Sequence, residues 1–399
     1  MPRLHPFNDP PSHPSSAMSG THPDPSHFPR RILLAVTGLS PQIVTETLFA
    51  LATRECDPWI PTEIHLITTA EGAERARLSL LHPKSGWFLR LCRDYGLPPI
   101  RFAKDLIHEL HAADGMPLTD IRTLDDNTAA ADAITEQVRI LTADPHAALH
   151  VSIAGGRKTM GFYLGYALSL YGRPQDRLSH VLVSAPYESH PQFFYPTPES
   201  DVIHTPPPDS RPYDTRDARV TLAEIPFVRV RDGLPQRLIE GAASFSATVE
   251  AAQRALAPSQ LILDLAGGRI HAGGETIALP PASLAFYAML ARRRVEGLDG
   301  VRWTDDGIAG AYLLCYREID GDLSSGLERA AKALSEGMTK DYFDQRKSRV
   351  NSAIEKALGP QLAAAYLIHP DGARPQTRFG LTLDGGAIGF SEKKARPLE

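Results

Sequence analysis

The sequence VSIAGGRKTM at residues 151–160 constrains the fold more than any other stretch of the chain. An apolar run, predicted to be a strand, meets Gly155 and Gly156, and an apolar helical pattern follows. A strand, a glycine turn and a helix bring backbone N–H groups and the positive end of a helix dipole to one point, where a phosphate can bind. Arg157 and Lys158 add two cations there. The sequence therefore predicts an anion site that accepts a phosphodiester or a nucleotide.

The first half of the sequence alternates strand and helix patterns. The predicted strands cover residues 31–37, 63–69, 100–103, 148–154 and 179–185. The predicted helices cover residues 41–53, 70–81, 86–95, 127–142 (with Asn127 as its cap) and 158–171. Strands that are apolar on both faces are typical of a parallel sheet covered by helices on both sides. The sequence therefore predicts an α/β, Rossmann-like domain.

The second half has a different order of elements. Residues 196–217 are dense in Pro, Asp and Ser, so we expect a linker, with its bounds at 201–225. Beyond it we predict helices at 239–255, 281–294, 323–336 and 341–358, a hairpin at 261–279, and strands at 365–368 and 377–383. Helix, helix, basic helix and hairpin is the order of a winged helix-turn-helix. We therefore predict an α+β, winged-helix-like domain over residues 226–399.

The basic helix of that second domain carries the candidate DNA contacts. They are Arg346, Lys347, Arg349 and Asn351. Cations of this kind bind the phosphates of DNA, and an amide can contact its base edges. A solvated helix face is the alternative interpretation, because three acidic side chains share the helix: Asp341, Asp344 and Glu355. DNA therefore stays open as a partner of the second domain.

Length and composition limit the class of protein. A chain of 399 residues suggests two domains, here 30–200 and 226–399, and the Pro-, His- and Ser-rich residues 1–29 predict a disordered tail. The net charge of −5 argues against a broad basic face, so an anion site must be a local pocket. Three cysteines without a CxxC pair fit the cytoplasm. We expect no membrane span, since no run of 18 apolar residues occurs. No spacing of His, Asp or Glu indicates a metal, and we expect no cofactor.

Two turns are predicted at one edge of the sheet, beyond the carboxyl ends of the strands, where α/β folds bind ligands. One is TGLSPQ at residues 37–42, and the other is GGRKT at residues 155–159. Lys158 is the strongest ligand candidate. Ser40 is either a ligand contact or only a helix N-cap, since Pro41 after it is a favoured first helical residue.

A nucleoside-triphosphate P-loop is the main rival for the second turn. That motif reads G-x-x-x-x-G-K-[ST]. Here Arg157 separates Gly156 from Lys158, and Val151 stands where the first glycine is required. The match fails, and the sequence disfavours an ATPase.

Three motifs together give the first half a family resemblance. They are RILLAVTGLSPQIVTETL at residues 31–48, HLITTAEG at 65–72 and SIAGGRKTM at 152–160. Over roughly residues 30–200 the chain resembles a CRISPR-associated Rossmann-fold (CARF) domain. It is most similar to the ring nucleases among the CRISPR-associated NE0113-type proteins and their archaeal relatives. Each motif is weak alone, and the three are specific together.

The resemblance implies a substrate and an activity. Domains of this family are homodimers that hold a cyclic oligoadenylate across the twofold axis, and ring nucleases cut that ring to end antiviral signalling. We expect the ring to be cyclic tetra-adenylate. A ribose 2′-hydroxyl attacks the neighbouring phosphodiester in line and leaves a linear adenylate with a 2′,3′-cyclic phosphate. This chemistry needs aligned reactants and positive charge, but no metal.

The resemblance also implies the site residues. Relatives use a serine or threonine after the first strand and a lysine after a later strand, which correspond here to Ser40 and Lys158. Arg157 is the third catalytic candidate. The expected ligand-binding residues are Gly38, Leu39, Pro41, Gln42, Thr69, Gly155, Gly156, Thr159 and Met160.

A second class of function competes with the enzyme. A regulator would bind the ring as a signal and act on DNA through its winged helix, with steeply salt-dependent binding. The balanced charge of residues 226–399 favours the enzyme. A ring-activated effector nuclease is less consistent with the sequence, since the second half contains no recognisable nuclease motif.

Overall fold

The computed structural model describes residues 23–188, 190–205, 207–373 and 376–391. The expected disordered tail falls largely on residues 1–22, which lie outside the described residues. Within the rest of that tail, Pro25–His27 forms a short 3₁₀ helix capped by the side chain of Asp24.

A six-stranded sheet forms the first domain. Its strands are β1 (Arg30–Thr37), β2 (Glu63–Thr68), β3 (Ile107–Glu109), β4 (Ala147–Ser152), β5 (Arg177–Val183) and, after the short hairpin of β6 (Val202–His204) and β7 (Pro212–Asp214), β8 (Val220–Glu224). The order is β3-β2-β1-β4-β5-β8, with β8 antiparallel and the other five strands parallel. The strand order reverses at β1, so a crevice opens beyond the carboxyl ends of β1 and β4. The predicted α/β, Rossmann-like fold is confirmed.

Helices cover both faces of this sheet. They are α1 (Gln42–Ala52), α2 (Ala70–Leu80), α3 (Trp87–Asp94), α4 (Leu124–Leu141) and α5 (Lys158–Tyr171). The side chains of β1 alternate between two cores, because successive residues of a strand point to opposite faces. Ile32 and Leu34 pack with α4 and α5, whereas Leu33 and Ala35 pack with α1, α2 and α3. Both faces of the central strand are therefore apolar, as its sequence indicates.

The stretch predicted as a linker differs most from expectation. Residues 201–225 contain β6, β7 and β8, and β8 pairs with β5 as an edge strand of the sheet. The following short helix α6 (Gln236–Glu240) and α7 (Phe245–Leu256) also pack on the first domain, where Leu234 and Ala252 join its core. The prediction was wrong here because β8 is only partly buried, so its sequence lacks an apolar run.

Two smaller predictions in the first domain were also wrong. Residues 100–103 make only an isolated bridge from Arg101 to Glu63, and the edge strand is β3 instead. Helix α4 begins earlier than Asn127 because Thr123 and Asp126 form a capping box, in which each side chain accepts a backbone N–H of the other.

The second domain has its own core. Its elements are β9 (Leu261–Asp264), β10 (Arg269–Ala272), β11 (Glu275–Ala278), α8 (Pro281–Val295), α9 (Ile308–Asp320), α10 (Ser325–Ala333), α11 (Lys340–Leu358), α12 (Pro360–Ala363), β12 (Ile368–Asp371), β13 (Arg378–Leu381) and β14 (Ile388–Phe390). Strands β11, β10, β9 and β14 form one sheet, and β12 pairs with β13. The expected basic helix is present, and α9 is additional. The terminal hairpin is present, but its first strand begins at Ile368, since Ala364–Tyr366 forms a 3₁₀ turn where the strand was expected. The hairpin expected at residues 261–279 has three strands. The winged-helix assignment stays a prediction.

Candidate functional site

The loops after β1 and β4 touch at the carboxyl edge of the sheet. A Cβ placed on Gly38 would lie 3.8 Å from the Cα of Gly156. Gly155 packs even closer, since a Cβ there would lie 2.8 Å from the carbonyl oxygen of Val36. Gly156 has a φ of +79°, which favours glycine. The two glycines therefore allow the second loop to press against the first and to turn into α5.

Ser40 presents its hydroxyl at this contact. Its side chain is exposed, and within the described part of the chain its hydroxyl has no hydrogen-bond partner. Helix α1 begins at Gln42 with Pro41 as the N-cap residue and no side-chain cap. Thr37 Oγ1 donates to the backbone carbonyl of Ser40 over 2.8 Å, which holds the loop. The capping interpretation of Ser40 is therefore wrong, and its hydroxyl stays available to a ligand.

Lys158 is the first residue of α5. Its side chain is exposed, and no ion pair to it occurs among the described residues. Arg157 occupies the N-cap position without a side-chain cap, so the first backbone N–H groups of the helix are not satisfied by that residue. A cation and an uncapped helix N-terminus coincide here, and both favour an anion.

Arg157 was expected to be a free cation, but the structure shows it in an ion pair. Its guanidinium forms a two-point ion pair with Asp120, in which Nε donates to Oδ1 over 3.0 Å and Nη2 donates to Oδ2. This guanidinium holds the pKa of Asp120 well below its usual range. Arg122 also reaches Asp120, over 3.2 Å. Asp120 and Arg122 could not be predicted from the sequence, because they stand in the loop before α4, far from the glycine motif in the chain.

Three neighbouring clefts open around these loops. The serine cleft, of about 390 Å³, is lined by Ser40, Arg157 and Asp120, together with the expected ligand residues Gly38, Leu39, Thr69, Gly156 and Met160. The lysine cleft, of about 450 Å³, is lined by Lys158, the expected Thr159, Arg157 and Arg122. Ser40 and Lys158 thus line adjacent clefts rather than one, and Arg157 and Arg122 line both.

The acidic cleft lies on the other side of Ser40. It has a volume of about 330 Å³ and is lined by Ser40, the expected Gln42 and Gly155, and also Glu46, His180, Glu188 and His190. Burial raises the pKa of the Glu46 carboxyl to about 8, and the charge of Glu188 adds to the effect. Glu46 is therefore mostly neutral at pH 7. Sequence reasoning missed it, although an acidic residue inside the apolar helix QIVTETLFALA was a usable signal.

Of the expected ligand residues, Pro41 alone lines none of these three clefts. Its ring is buried beneath the loop. Thr69, at the rim of the serine cleft, is the N-cap of α2, where its hydroxyl accepts from the backbone N–H of Gly72 over 3.4 Å.

The candidate DNA contacts on α11 are mostly engaged within the domain. Asn351 exchanges two hydrogen bonds with the backbone of Ile368, at 2.9 and 3.1 Å. Lys347 pairs with Asp344 over 2.8 Å, and Arg346 stacks on a tyrosine ring, Tyr342. Arg349 is exposed. Asn351 holds β12 in place, so the geometry assigns it a structural role.

A second polar cluster lies away from the clefts. His65 Nδ1 is 2.9 Å from His108 Nε2, and His65 Nε2 is 3.1 Å from Glu63. Burial lowers the pKa of both histidines. The described residues contain no group of three or more His, Cys, Asp or Glu that could hold a metal ion. None of the helices in the described ranges has the length and apolarity to cross a membrane.

Comparison with solved structures gives only distant similarities. Csm6 of Enterococcus italicus, solved with cyclic hexa-2′-fluoro-hexa-dAMP bound, is 14% identical with a TM-score of 0.24, and the match covers 82% of this chain and 58% of that one. Protein VC1899 of Vibrio cholerae is 10% identical with a TM-score of 0.23, over 88% and 75% of the two chains. The chain thus spans little more than half the length of the Csm6 chain. Scores this low carry no argument about fold or ligand.

Comparison with protein families is decisive. No protein of curated function matches the chain significantly. The model of the CRISPR-associated protein NE0113 family matches residues 40–258, which is more than half of the chain. The matched region runs from Ser40 through α7, so it includes the lining residues of the three clefts apart from Gly38 and Leu39, and it ends where the core of the first domain ends. The chain therefore belongs to the NE0113 family of CRISPR-associated proteins.

Proposed function

We propose that this protein is a cytoplasmic ring nuclease that binds cyclic oligoadenylate, most readily cyclic tetra-adenylate, and cleaves it. The observation that carries the proposal is the meeting of two loops at the switch point of the sheet. One loop offers the hydroxyl of Ser40, which has no partner among the residues that the structure describes, and the other offers Lys158 at a helix N-terminus without a side-chain cap. Membership of a CRISPR-associated family gives such a site its biological setting.

The proposed reaction is an internal transesterification. A ribose 2′-oxygen bonds to the adjacent phosphorus while the bond from phosphorus to the 5′-oxygen breaks, and the proton of the 2′-hydroxyl ends on the departing 5′-oxygen. The products are a linear adenylate with a 2′,3′-cyclic phosphate and a 5′-hydroxyl. Atoms and charge balance without a metal, so the protein has to align the ring and stabilise the phosphorane.

In this mechanism Lys158 and the first N–H groups of α5 stabilise the negative charge that grows on the phosphate. Ser40 orients the 2′-hydroxyl or the phosphate from the adjacent cleft. A ring that reaches across the serine and lysine clefts contacts both side chains, which is why adjacent clefts suffice. Arg157 acts while tied to Asp120, so we assign it to shaping the shared wall of the two clefts.

A second copy of the chain is part of the proposal. Exposed apolar side chains surround the clefts: Leu39 is 46%, Phe162 60% and Leu124 79% exposed. Phe162 follows Lys158 by one helical turn, so both lie on one face of α5. A homodimer through this face covers the apolar side chains and places two sets of clefts around one ring. Sedimentation should give a dimer for the wild type and a monomer for Phe162→Asp; a dimeric variant would contradict this surface.

Product analysis tests the activity. The purified protein is incubated with cyclic tri-, tetra- or hexa-adenylate in EDTA, and the products are separated by chromatography. We expect linear adenylates with 2′,3′-cyclic phosphate ends from cyclic tetra-adenylate. If the rings bind but stay intact, the protein is a sensor rather than a nuclease. In that case, the salt dependence of DNA binding tests whether the protein is a regulator. The side chains on α11 that could contact DNA are mostly engaged within the domain, which disfavours this alternative.

A further inference from the structure

Two polar side chains of the acidic cleft, the buried Glu46 and the partly buried Gln42, each have an oxygen without a partner among the described residues. Glu46 is only 7% exposed, and no hydrogen bond to its carboxyl occurs within the described residues. Gln42 Oε1 is a buried atom with no partner in the described ranges, whereas Gln42 Nε2 donates to the backbone carbonyl of Pro191 over 3.2 Å. The bond through Nε2 fixes the amide, so Oε1 keeps its direction. Buried polar atoms without partners are rare in native structures and call for an explanation.

The two side chains stand together on the wall of one cleft. They are four residues apart on α1, which places them on the same face of the helix, and both line the cleft that Ser40 borders. A neutral Glu46 carboxyl offers one O–H donor and one carbonyl acceptor, and Gln42 Oε1 adds a second acceptor. These two side chains therefore hold one donor and two acceptors, and neither of them carries a positive charge.

We infer that the acidic cleft binds the edge of a 6-aminopurine base, with Glu46 and Gln42 as the residues that read it. The ring nitrogen N1 or N7 accepts from the Glu46 O–H. The two hydrogens of the 6-amino group go to the Glu46 carbonyl oxygen and to Gln42 Oε1. This inference rests on the proposed function, since the base belongs to the same ring whose phosphate lies at α5.

The chemistry of the cleft excludes a phosphate as its occupant. A phosphate offers only acceptors and a negative charge, which the two acceptor atoms and the exposed carboxylate of Glu188 oppose. Hypoxanthine is also a poor fit, because its 6-oxygen would face Gln42 Oε1, acceptor against acceptor. A site built for a hydrogen-bonding group rejects analogues that leave its buried polar atoms unpaired. Adenine should thus be selected over hypoxanthine.

Other titratable and charged groups also lie near Glu46 and α1. His190 uses both ring nitrogens, at 2.9 Å from the His204 carbonyl and 3.2 Å from the backbone N–H of Gln192. His180 on β5 and the exposed Glu188 also face the cleft. Among the other charged groups near α1, Arg54 pairs with Glu224 of β8 at 3.0 Å, and Arg90 pairs with Asp94 of α3 at 3.6 Å. Arg177 of β5 donates to the backbone carbonyls of Pro174 and Asp176, and Arg93 of α3 is exposed.

Ionisation of Glu46 provides a test, because a carboxylate cannot donate. Burial raises its pKa to about 8, so the donor is present at pH 7 and is lost at pH 9.5. The affinity of the wild type for cyclic tetra-adenylate should then fall about tenfold or more between these pH values. Glu46→Gln keeps one donor and one acceptor but cannot ionise, so its affinity should stay flat over the same range.

The experiment compares cyclic tetra-adenylate with cyclic tetra-inosinate by titration calorimetry at pH 7 and 9.5. We expect the wild type and Glu46→Gln to prefer the adenylate ring at pH 7, and Glu46→Leu to bind both rings alike. Equal preference in the wild type and Glu46→Leu overturns the inference, as does a pH response that persists in Glu46→Gln. If Glu46→Leu fails to fold, the pH dependence of ring binding by Glu46→Gln still tests the inference. Absence of any ring binding by the wild type overturns the proposed function itself, which is a different readout.

Discussion

The lysine cleft and the acidic cleft both adjoin the serine cleft but place their charges in opposite environments. Lys158 is exposed at a helix end, whereas Glu46 is buried and neutral in the middle of a helix. An exposed cation and a helix N-terminus suit a phosphate, which carries its charge into the site. A buried neutral carboxyl suits an uncharged base. The comparison shows how one edge of a sheet can offer separate clefts to the phosphate and to the base of a nucleotide.

The largest expected effect on activity comes from a substitution in the lysine cleft. Lys158→Ala should lower the rate of cyclic tetra-adenylate cleavage about 10²–10³-fold, because it removes a positive group from the phosphorane. Binding of the ring should weaken much less. Single-turnover rates and binding constants measured side by side separate the two effects. The exposed Lys84, which lines none of the three clefts, provides the control: Lys84→Ala should match the wild type. Cleavage by Lys158→Ala at the wild-type rate would contradict the assignment of Lys158 as a catalytic residue.

A smaller loss of activity is expected at Ser40, which lines both the serine cleft and the acidic cleft. Ser40→Ala should reduce cleavage about 10–10²-fold, since it removes one positioning hydrogen bond from the reacting group. Ser40→Thr, which restores a hydroxyl, should recover most of the rate. Ser348→Ala on the exposed face of α11 serves as a matched control. Equal rates for Ser40→Ala and the wild type would leave Ser40 as a loop residue only.

The buried carboxyl should affect stability with a definite sign. The pKa of Glu46 rises from 4.5 to about 8 in the fold, so the unfolded chain ionises first as pH increases. The stability that the neutral carboxyl provides is complete below about pH 4.5 and is lost as pH rises to about 8, by at most about 1.4 kcal/mol per pH unit. Glu46→Gln should therefore raise the melting temperature more at pH 8.5 than at pH 5.5. A gain independent of pH would contradict a neutral buried Glu46.

The smallest expected effect concerns the ion pair beside the lysine cleft. Asp120→Asn removes the carboxylate that neutralises Arg157, so the affinity for cyclic tetra-adenylate should increase about two- to fivefold, in line with an exposed pair. The salt dependence of binding should become steeper at the same time. Asp125→Asn, an exposed position in the first turn of α4, is the control. A loss of affinity in Asp120→Asn would mean that the pair holds the loop in its binding shape.

Much of the first domain was predictable because its core strands and helices have clear local patterns. The bounds of α5 match the prediction, and β1, β2 and β4 differ from it by one or two residues at their ends. β8 could not be recognised, since a partly buried edge strand lacks an apolar run and its pairing with β5 joins residues 37 to 45 positions apart. Helix α9 follows Gly307, an N-cap residue with a left-handed φ, and contains Gly310, which weakens its helical signal.

The candidate site was predictable in position but not in charge. Strand ends followed by glycine turns indicated the two loops, and the loops do touch. The pairing of Arg157 with Asp120 depends on tertiary structure, as residue 120 is 37 positions earlier in the chain. The neutral state of Glu46 likewise depends on burial by β5 and the loop after it, which the sequence of α1 alone does not contain.

A crystal structure of the Lys158→Ala variant with uncleaved cyclic tetra-adenylate tests the central claim most directly. The account predicts one ring across a twofold axis, with a phosphate at the N-terminus of α5 within hydrogen-bond reach of Ser40 and an adenine edge against Glu46. A ring bound elsewhere, or one whose phosphates contact neither the start of α5 nor Ser40, would contradict it.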